Sequence, residues 1–231
     1  MNQNLQQAYG VGSGALIARN RVLRNTYWLL AISMIPTILG AWLGVQMDFS
    51  LFQGSPLIGF IMFMAIAFGF FYAIEKTKNS GLGVLFLLGF TFFMGLMLSR
   101  MIGVVLHSYS NGANLIMTAF GGTAMIMGVM ATVATVSKRD FSGLSRWLFA
   151  GLLVIIVASL LNMFMHIPAL YLVISVVAIA IFSGYILFDV QQIINGGQTN
   201  YISATLSIYL DVYNIFVNLL RILSYVGGNR N

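Results

Sequence analysis

The sequence has 231 residues, of which 59% are hydrophobic and only 7% are charged. Soluble domains of this length carry roughly a quarter charged residues, so the composition excludes a protein whose main solvent is water. Cysteine is absent, which excludes disulfide frameworks, thiol catalysis and cysteine-bound metal sites.

The chain begins with a polar segment. Residues 1–18 contain neither the basic start nor the apolar centre of a cleavable signal peptide. Gly10, Gly12 and Gly14 in this segment do not form a dinucleotide-binding loop, because no strand precedes them and no βαβ unit follows. The pattern predicts a flexible cytoplasmic tail over residues 1–24 and a membrane domain over residues 25–231.

Long apolar segments occupy the rest of the chain. A helix needs about 20 apolar residues to cross the hydrocarbon core of a bilayer. Segments that reach this length predict an all-α integral membrane protein with seven spans: 26–46, 57–75, 82–106, 113–136, 147–166, 168–191 and 201–226. Pro36 lies inside the first segment and predicts a kink there. A bundle of six spans, in which the sixth or seventh segment is re-entrant, is the alternative.

The basic residues predict the orientation of these spans. With the N-terminus in the cytoplasm, eight of the 11 lysines and arginines lie on the cytoplasmic side. The other three, Arg100, Arg221 and Arg230, lie on the external side. Because cytoplasmic loops are enriched in basic residues, this distribution favours an internal N-terminus and an external C-terminus. Short basic clusters between apolar runs are typical of topology signals, so the net charge of +6 does not indicate a nucleic-acid partner.

Two acidic residues lie inside hydrophobic runs. Asp189 belongs to the sixth segment and Asp211 to the seventh, and an ionisable residue within a membrane span is a candidate functional residue. The two segments run antiparallel around a break near residues 195–200. If the turn is centred on Asn200, the two carboxyl groups share one depth. If it is centred on Gly197, their depths differ by roughly 9 Å.

A polar stripe continues from Asp211 along the seventh segment. Its members recur every three or four residues and therefore share one helical face: Ser203, Ser207, Asp211, Asn214, Asn218 and Arg221. Tyr185 lies on the same face of the sixth segment as Asp189. Such a stripe must face protein or water, so it is either a hydrogen-bonded packing seam or the wall of a polar cavity. The presence of Asp211 in the stripe favours the cavity.

The chemistry of the aspartate pair predicts a proton and cation site. Two neighbouring carboxylates in a medium of low dielectric constant repel each other, so Asp189 and Asp211 should share one proton. After losing it they can attract a cation, but Ca²⁺ prefers six to eight oxygen ligands. We therefore expect weak, transient cation contact at Asp189 and Asp211 and no resident cofactor. His107 and His166 are isolated from each other in the sequence and do not indicate a zinc site.

Three stretches carry a resemblance to a known family. They are residues 19–30 (RNRVLRNTYWLL), 119–124 (AFGGTA) and 181–223, which contains IFSGYILFDVQQII and IYLDVYNIF. On these residues the chain resembles the Bax inhibitor-1 family, also called the transmembrane Bax-inhibitor-motif family, and within it the bacterial YccA-like branch. The similarity covers nearly the whole chain after the polar tail.

The resemblance implies a fold and several functions. It implies a seven-helix arrangement around a central last helix, a pH-sensitive calcium or cation leak, and a part in stress or cell-death responses. The family's paired aspartates match Asp189 and Asp211. Characterised relatives also have an arginine on the second helix that assists the pair, whereas residues 57–75 of this chain contain no Arg or Lys. The YccA-like branch implies a bacterial inner-membrane location and a link, as substrate or modulator, to an ATP-dependent membrane protease.

Three functions are compatible with these observations. The first is a cation leak channel gated by the proton-sharing aspartates. The second is a modulator or substrate of the membrane protease without transport activity. The third is an intramembrane aspartyl protease, which also uses two aspartates. Asp211 follows Ile208, Tyr209 and Leu210 rather than the glycine-containing motif of those proteases, so we expect that the protein is not an enzyme.

Overall fold

Seven α-helices account for most of residues 3–51, 55–137 and 139–228, which are the residues that this computed structural model describes. The helices are α1 (Gln3–Gln46), α2 (Pro56–Thr77), α3 (Gly81–Ser108), α4 (Gly112–Val136), α5 (Leu144–Met165), α6 (Pro168–Ile194) and α7 (Tyr201–Gly227). Each contains a segment long and apolar enough to cross a membrane. The prediction of an all-α, seven-span membrane protein is therefore confirmed.

The lengths of α6 and α7 decide between seven spans and six. Each of these helices has 27 residues, which corresponds to about 40 Å of helix. That length exceeds the roughly 30 Å hydrocarbon core of a bilayer. Both helices can cross completely, so the structure favours seven full spans over six spans and a re-entrant segment.

Local signals in the sequence explain where several helices begin. Ser55 caps α2 by accepting a hydrogen bond from the Ile58 N–H, and Pro56 occupies the first turn, where a missing N–H costs nothing. Asn200 caps α7 by accepting hydrogen bonds from the N–H groups of Ile202 and Ser203. His166 adopts a left-handed conformation (φ 52°), which lets the chain turn tightly from α5 into α6.

The first helix begins earlier than the sequence predicted. α1 starts at Gln3, and its membrane span starts at Ile17 rather than near residue 26. Val22 and Leu23 pack against the hydrophobic core, which explains why this part of the chain continues the helix. The division between tail and membrane domain at residue 24 stays a prediction, although the helix and its apolar span begin before it. Residues 1 and 2 lie outside the described residues, and the flexibility and cytoplasmic position of the tail stay predictions.

The last helix lies at the centre of the bundle. Within the described residues, α7 contacts α1, α2, α3, α4 and α6, whereas α5 packs on α6 alone. The side chains of Ile202, Ile208, Tyr209, Ile215 and Leu220 on α7 are completely or almost completely buried. The central last helix implied by the family resemblance is therefore present. Large apolar side chains cover the outside of the bundle, as expected for a protein solvated by lipid.

A close crossing joins α1 to α3. A methyl group added at Gly95 would overlap the carbonyl oxygen of Thr37, and one added at Gly40 would overlap the carbonyl oxygen of Phe92. The hydroxyl of Thr37 also lies 2.8 Å from the hydroxyl of Tyr209 on α7. Glycine at these positions thus lets the backbones of α1 and α3 meet, as in other small-residue contacts between membrane helices. The buried hydrogen bond between Thr37 and Tyr209 connects the two helices to α7.

Side-chain hydrogen bonds connect the turns at each end of the bundle. At one end, the Asn200 amide donates to the carbonyl oxygen of Lys78 (2.9 Å), and the Gln191 amide donates to that of Arg139 (2.6 Å). We call this the α6–α7 end. At the other, the α3–α4 end, the Asn111 amide donates to the carbonyl oxygen of Gly227 (2.7 Å). The cytoplasmic position of the α6–α7 end stays a prediction, which a phosphatase or fluorescent-protein fusion at Asn231 would test.

Candidate functional site

Asp211 is a buried carboxylic acid in the middle of the central helix. Its side chain is only 6% exposed, and it lies on α7 between turns that carry Ile208 and Ile215. Among the described residues, its Oδ2 atom has no hydrogen-bond partner. An ionised carboxylate without donors is strongly destabilising in such surroundings. Asp211 therefore needs a proton, a cation or water.

Asp189 is more accessible than Asp211. It is half-buried near the end of α6 and lines a cavity of about 170 Å³ at the α6–α7 end. Gln192, Gly197, Ala204 and Ser207 line the same cavity, whose polar residues could hold water. Asp189 can therefore exchange protons or ions with that side of the membrane more readily than Asp211.

The two carboxyl groups lie at different depths. Asp189 lies five residues before the last residue of α6, and Asp211 lies ten residues after the first residue of α7. If the two helix ends are level, this difference of five residues places Asp211 about 8 Å deeper. The cavity supports the stagger, because Asp189 lines it together with Ala204 and Ser207. A turn centred on Gly197 therefore describes the structure better than one centred on Asn200.

The aspartates nevertheless form one electrostatic unit. Asp189 and Asp211 lie close enough to interact electrostatically, and Tyr185 on α6 interacts with both. No direct hydrogen bond joins the two carboxyl groups within the described part of the chain. A proton shared between them would therefore require an intermediary, and the Tyr185 hydroxyl and cavity water are the candidates on this face. Proton sharing itself stays a prediction.

The remaining members of the predicted stripe extend away from this pair. Ser207 lines the cavity beside Asp189, while Ser203 has a buried hydroxyl without a partner among the described residues. The Asn214 amide donates to the Leu210 carbonyl and the Asn218 amide donates to the Asn214 carbonyl, both at 2.8 Å. Both amide N–H groups therefore bond within α7. The side-chain Oδ1 atoms are the groups that can accept a hydrogen bond or contact a cation.

Arg221 ends the stripe at the opposite side of the bundle. Its guanidinium lies over the ring of Tyr171, 5.1 Å from the ring centre, and donates to Asn218 Oδ1 at 3.5 Å. It lines a cleft of about 470 Å³ at the α3–α4 end. Ser207 and Arg221 are 14 residues apart on α7, or about 21 Å. The polar face thus runs between two openings at opposite ends of the bundle.

The basic residue that assists the pair in characterised relatives has no equivalent on α2. Lys76 is the one basic residue of that helix, and it lies exposed near its end, over the ring of Tyr72. α2 therefore supplies no basic side chain to balance Asp189 and Asp211 from within the bundle. No group of three histidine, aspartate or glutamate side chains with metal-site spacing occurs among the described residues. A weak, transient cation contact at the pair stays a prediction.

Sequence reasoning missed the contacts that depend on distant parts of the chain. Gln191 bridges to the α4–α5 turn by donating to Arg139 and accepting from the Phe141 N–H at 2.6 Å. The Thr37–Tyr209 contact joins residues 172 positions apart. Helical periodicity does not reveal such pairs, because each residue looks like an ordinary polar residue of its own helix. The position of an Asn or Gln beside a helix end was the sequence feature that could have indicated the hydrogen bonds to the turns.

The chain is similar to known membrane proteins over most of its length. Residues 19–228 match the family described as "Inhibitor of apoptosis-promoting Bax1". An "Uncharacterized membrane protein" of Vibrio cholerae is 37% identical over 213 residues, covering 91% of this chain and 92% of the relative. The "Modulator of FtsH protease YccA" of Escherichia coli strain K12 is 36% identical, covering 91% and 93%. A second Escherichia coli relative, at 36% identity, is an "Inner membrane protein YccA". The chain therefore belongs to the Bax inhibitor-1 family and is a multi-pass inner-membrane protein of the YccA-like kind.

Proposed function

We propose that this protein is a pH-responsive cation leak pathway in which Asp189 and Asp211 bind either a proton or a cation. The observation that carries the proposal is the buried, unpartnered carboxyl oxygen of Asp211 beside the more accessible Asp189. Intramembrane carboxyl groups of this kind are typical of proton relays and ion pathways. A packing seam alone would satisfy the carboxyl group with hydrogen bonds from neighbouring side chains.

The path that we propose follows the polar face of α7. A cation enters through the cavity at the α6–α7 end, contacts Asp189 and then Asp211, and continues past the Oδ1 atoms of Asn214 and Asn218. Arg221 lies at the far end of this path and repels cations. The arrangement supports a slow leak rather than a fast channel. It has too few oxygen ligands for tight calcium storage.

Protons control the path because they compete with cations for the same two carboxyl groups. While Asp189 and Asp211 hold a proton, the net charge of the two side chains is small, and α6 and α7 can stay packed. When it leaves, two like charges in low dielectric surroundings push α6 and α7 apart or recruit a cation. Tyr185 on α6 also faces the pair. Arg221 is the basic member of the stripe on α7, and the Arg19 guanidinium of α1 lies against Gly196 in the α6–α7 turn. Calcium flux should therefore increase as the pH rises.

Reconstitution in liposomes tests this proposal. Purified protein is inserted into vesicles that contain a calcium dye, and dye response is measured across pH 5 to 8. We expect a flux above that of protein-free vesicles, increasing with pH. Asp140 does not contribute to this change, because hydrogen bonds from the backbone N–H and the hydroxyl of Ser142 hold its pKa below the usual value. Flux equal to that of empty vesicles at every pH would contradict the proposal.

A second candidate function is modulation of a membrane protease. The observation that favours it is the description of the Escherichia coli relative as a modulator of FtsH protease. In this reading the polar N-terminal segment is the part that an ATP-dependent protease engages. Such a role does not exclude the leak, because it uses the opposite end of the sequence from Asp211.

Deleting residues 2–16 tests the protease reading. The membrane span begins at Ile17, so the deletion leaves the bundle intact and the protein should still insert. We expect a longer lifetime in cells after synthesis is stopped, measured by pulse-chase labelling. A glycine–serine segment of the same length is the control for sequence, and a strain without the protease is the control for the pathway. An unchanged lifetime in all strains would show that the tail is not the part that the protease engages.

A further inference from the structure

The cleft at the α3–α4 end has the size of a ligand site and a mixed lining. Its volume of about 470 Å³ falls within the range of small-molecule pockets, roughly 300–1,000 Å³. One wall is apolar and is built largely from α3: Leu96, Met97, Met101, Val104 and Val105. The other side is polar and includes Arg221 and Ser224 of α7 with Tyr171 of α6. The lining is therefore amphipathic, like a molecule with a charged head and an apolar chain.

Two guanidinium groups give the cleft its charge. Arg100 and Arg221 both line it, and none of the described residues that line it is acidic. In the described ranges, neither arginine forms an ion pair, since Lys78–Glu75 is the ion pair found there. Arg100 donates to Ser50 Oγ and Arg221 to Asn218 Oδ1, each over a long 3.5 Å. A guanidinium has five N–H donors, so both groups retain donors for an anion.

A buried hydroxyl provides an independent indication of a polar ligand. The Oγ atom of Ser224 is buried and has no hydrogen-bond partner among the described residues, although it belongs to a residue that lines the cleft. Buried hydroxyl groups are usually satisfied, and leaving one unpaired costs about 1–3 kcal/mol. An oxyanion bound in the cleft beside Ser224 is a candidate acceptor for this hydrogen. A cation would not suit this position, because two guanidinium groups would repel it.

We propose that the cleft binds a phosphate group between Arg100 and Arg221, and that the apolar wall of α3 holds the acyl chain of the phospholipid that carries it. Guanidinium groups recognise phosphate through paired N–H donors, and the rings of Tyr109 and Tyr225 add the amphipathic lining found at membrane interfaces. The proposal does not depend on cation transport, since it uses neither aspartate. Free inorganic phosphate shares the head chemistry but not the apolar chain.

Lipid binding to delipidated protein tests this assignment. The full chain is purified in detergent, and its melting temperature is measured with added phosphatidylglycerol, phosphatidylcholine or inorganic phosphate. We expect phosphatidylglycerol to raise the melting temperature of the wild type more than phosphatidylcholine does. Arg100→Gln and Arg221→Gln should each weaken phosphatidylglycerol binding about fivefold, the effect of removing one basic group near an anionic lipid. Arg146→Gln is the matched control, because Arg146 is exposed on α5, away from the cleft.

The outcomes separate the possible ligands. Stabilisation by phosphatidylglycerol that is lost in the cleft variants and kept in Arg146→Gln supports the lipid site. Equal stabilisation by inorganic phosphate supports the phosphate site but overturns the lipid as its source. Equal effects of both lipids, or wild-type binding by Arg100→Gln, overturns the proposal. Arg100 is exposed, so Arg100→Gln should melt at the wild-type temperature without lipid, and Arg100→Lys should retain part of the binding.

Discussion

Reconstituted Asp211→Asn protein should lose most of the pH dependence of its calcium flux between pH 5 and 8. Asparagine keeps the size of the buried side chain and can still form hydrogen bonds, but it cannot lose a proton in this range. The helix should therefore remain packed, since Asp211 lies on the buried face of α7 and has a carboxyl oxygen without a partner. The flux of vesicles with equal amounts of variant and wild-type protein is the measurement.

The partner substitution shows whether the two aspartates act as a unit. Asp189→Asn should have the same effect, because its carboxyl group interacts electrostatically with that of Asp211. The double variant should be no worse than either single variant, since residues that act together are not additive. His107→Gln with His166→Gln is the matched control, because both side chains are exposed near helix ends outside the aspartate site, and it should keep the wild-type profile. Wild-type pH dependence in both aspartate variants would return the pair to a purely structural role.

Gly95→Ala should lower the stability of the bundle more than an alanine at any other glycine of α3. The added methyl group would overlap the Thr37 carbonyl oxygen, and the atoms around it are backbone atoms that cannot rotate away. Overpacking of this kind costs about 1–3 kcal/mol, and separation of α1 from α3 would also break the contact between Thr37 and Tyr209. Unfolding of the purified protein in detergent, by heat or by denaturant, gives the change in stability.

Gly128→Ala is the matched control for the helix crossing. No atom outside its own turn lies within 4 Å of a methyl group added at Gly128 on α4. Alanine is also the better helix former by roughly 0.5–1 kcal/mol, so this variant should be as stable as the wild type or slightly more stable. Equal melting temperatures for Gly95→Ala and Gly128→Ala would show that the close crossing does not limit stability.

The sequence predicted the helices well because their signals are local. Apolar runs of about 20 residues, interrupted by turn-forming residues, are sufficient to locate spans in lipid. The start of α1 is the exception. The apolar segment was predicted to begin near residue 26, whereas Val22 and Leu23 already pack against the core between Arg19, Arg21 and Arg24. The structure of a segment that mixes basic and apolar residues depends on the helices that pack against it. These contacts cannot be read from the sequence.

The candidate site was predictable in its residues but not in its geometry. Helical periodicity placed Asp211 on the stripe that also contains Ser207 and Asn218, because residues three or four apart share a face. The relative depth of Asp189 and Asp211 depended on the centre of the α6–α7 turn, which periodicity does not determine. The cleft between Arg100 and Arg221 joins helices that are far apart in the sequence. No local pattern indicates that these two arginines line the same space.

The order of the helices has a consequence for how the protein is made. α7 leaves the ribosome after the other six helices, yet α1, α2, α3, α4 and α6 all pack on it. During synthesis the first six helices therefore enter the bilayer around an unfilled centre, with the Thr37 hydroxyl still lacking its contact with Tyr209. The most polar membrane helix, which carries Asp211, must then insert between partners that are already present. Assembly of the main core thus waits for α7, and a chain released before this helix lacks Ile202, Ile208 and Ile215 at its centre.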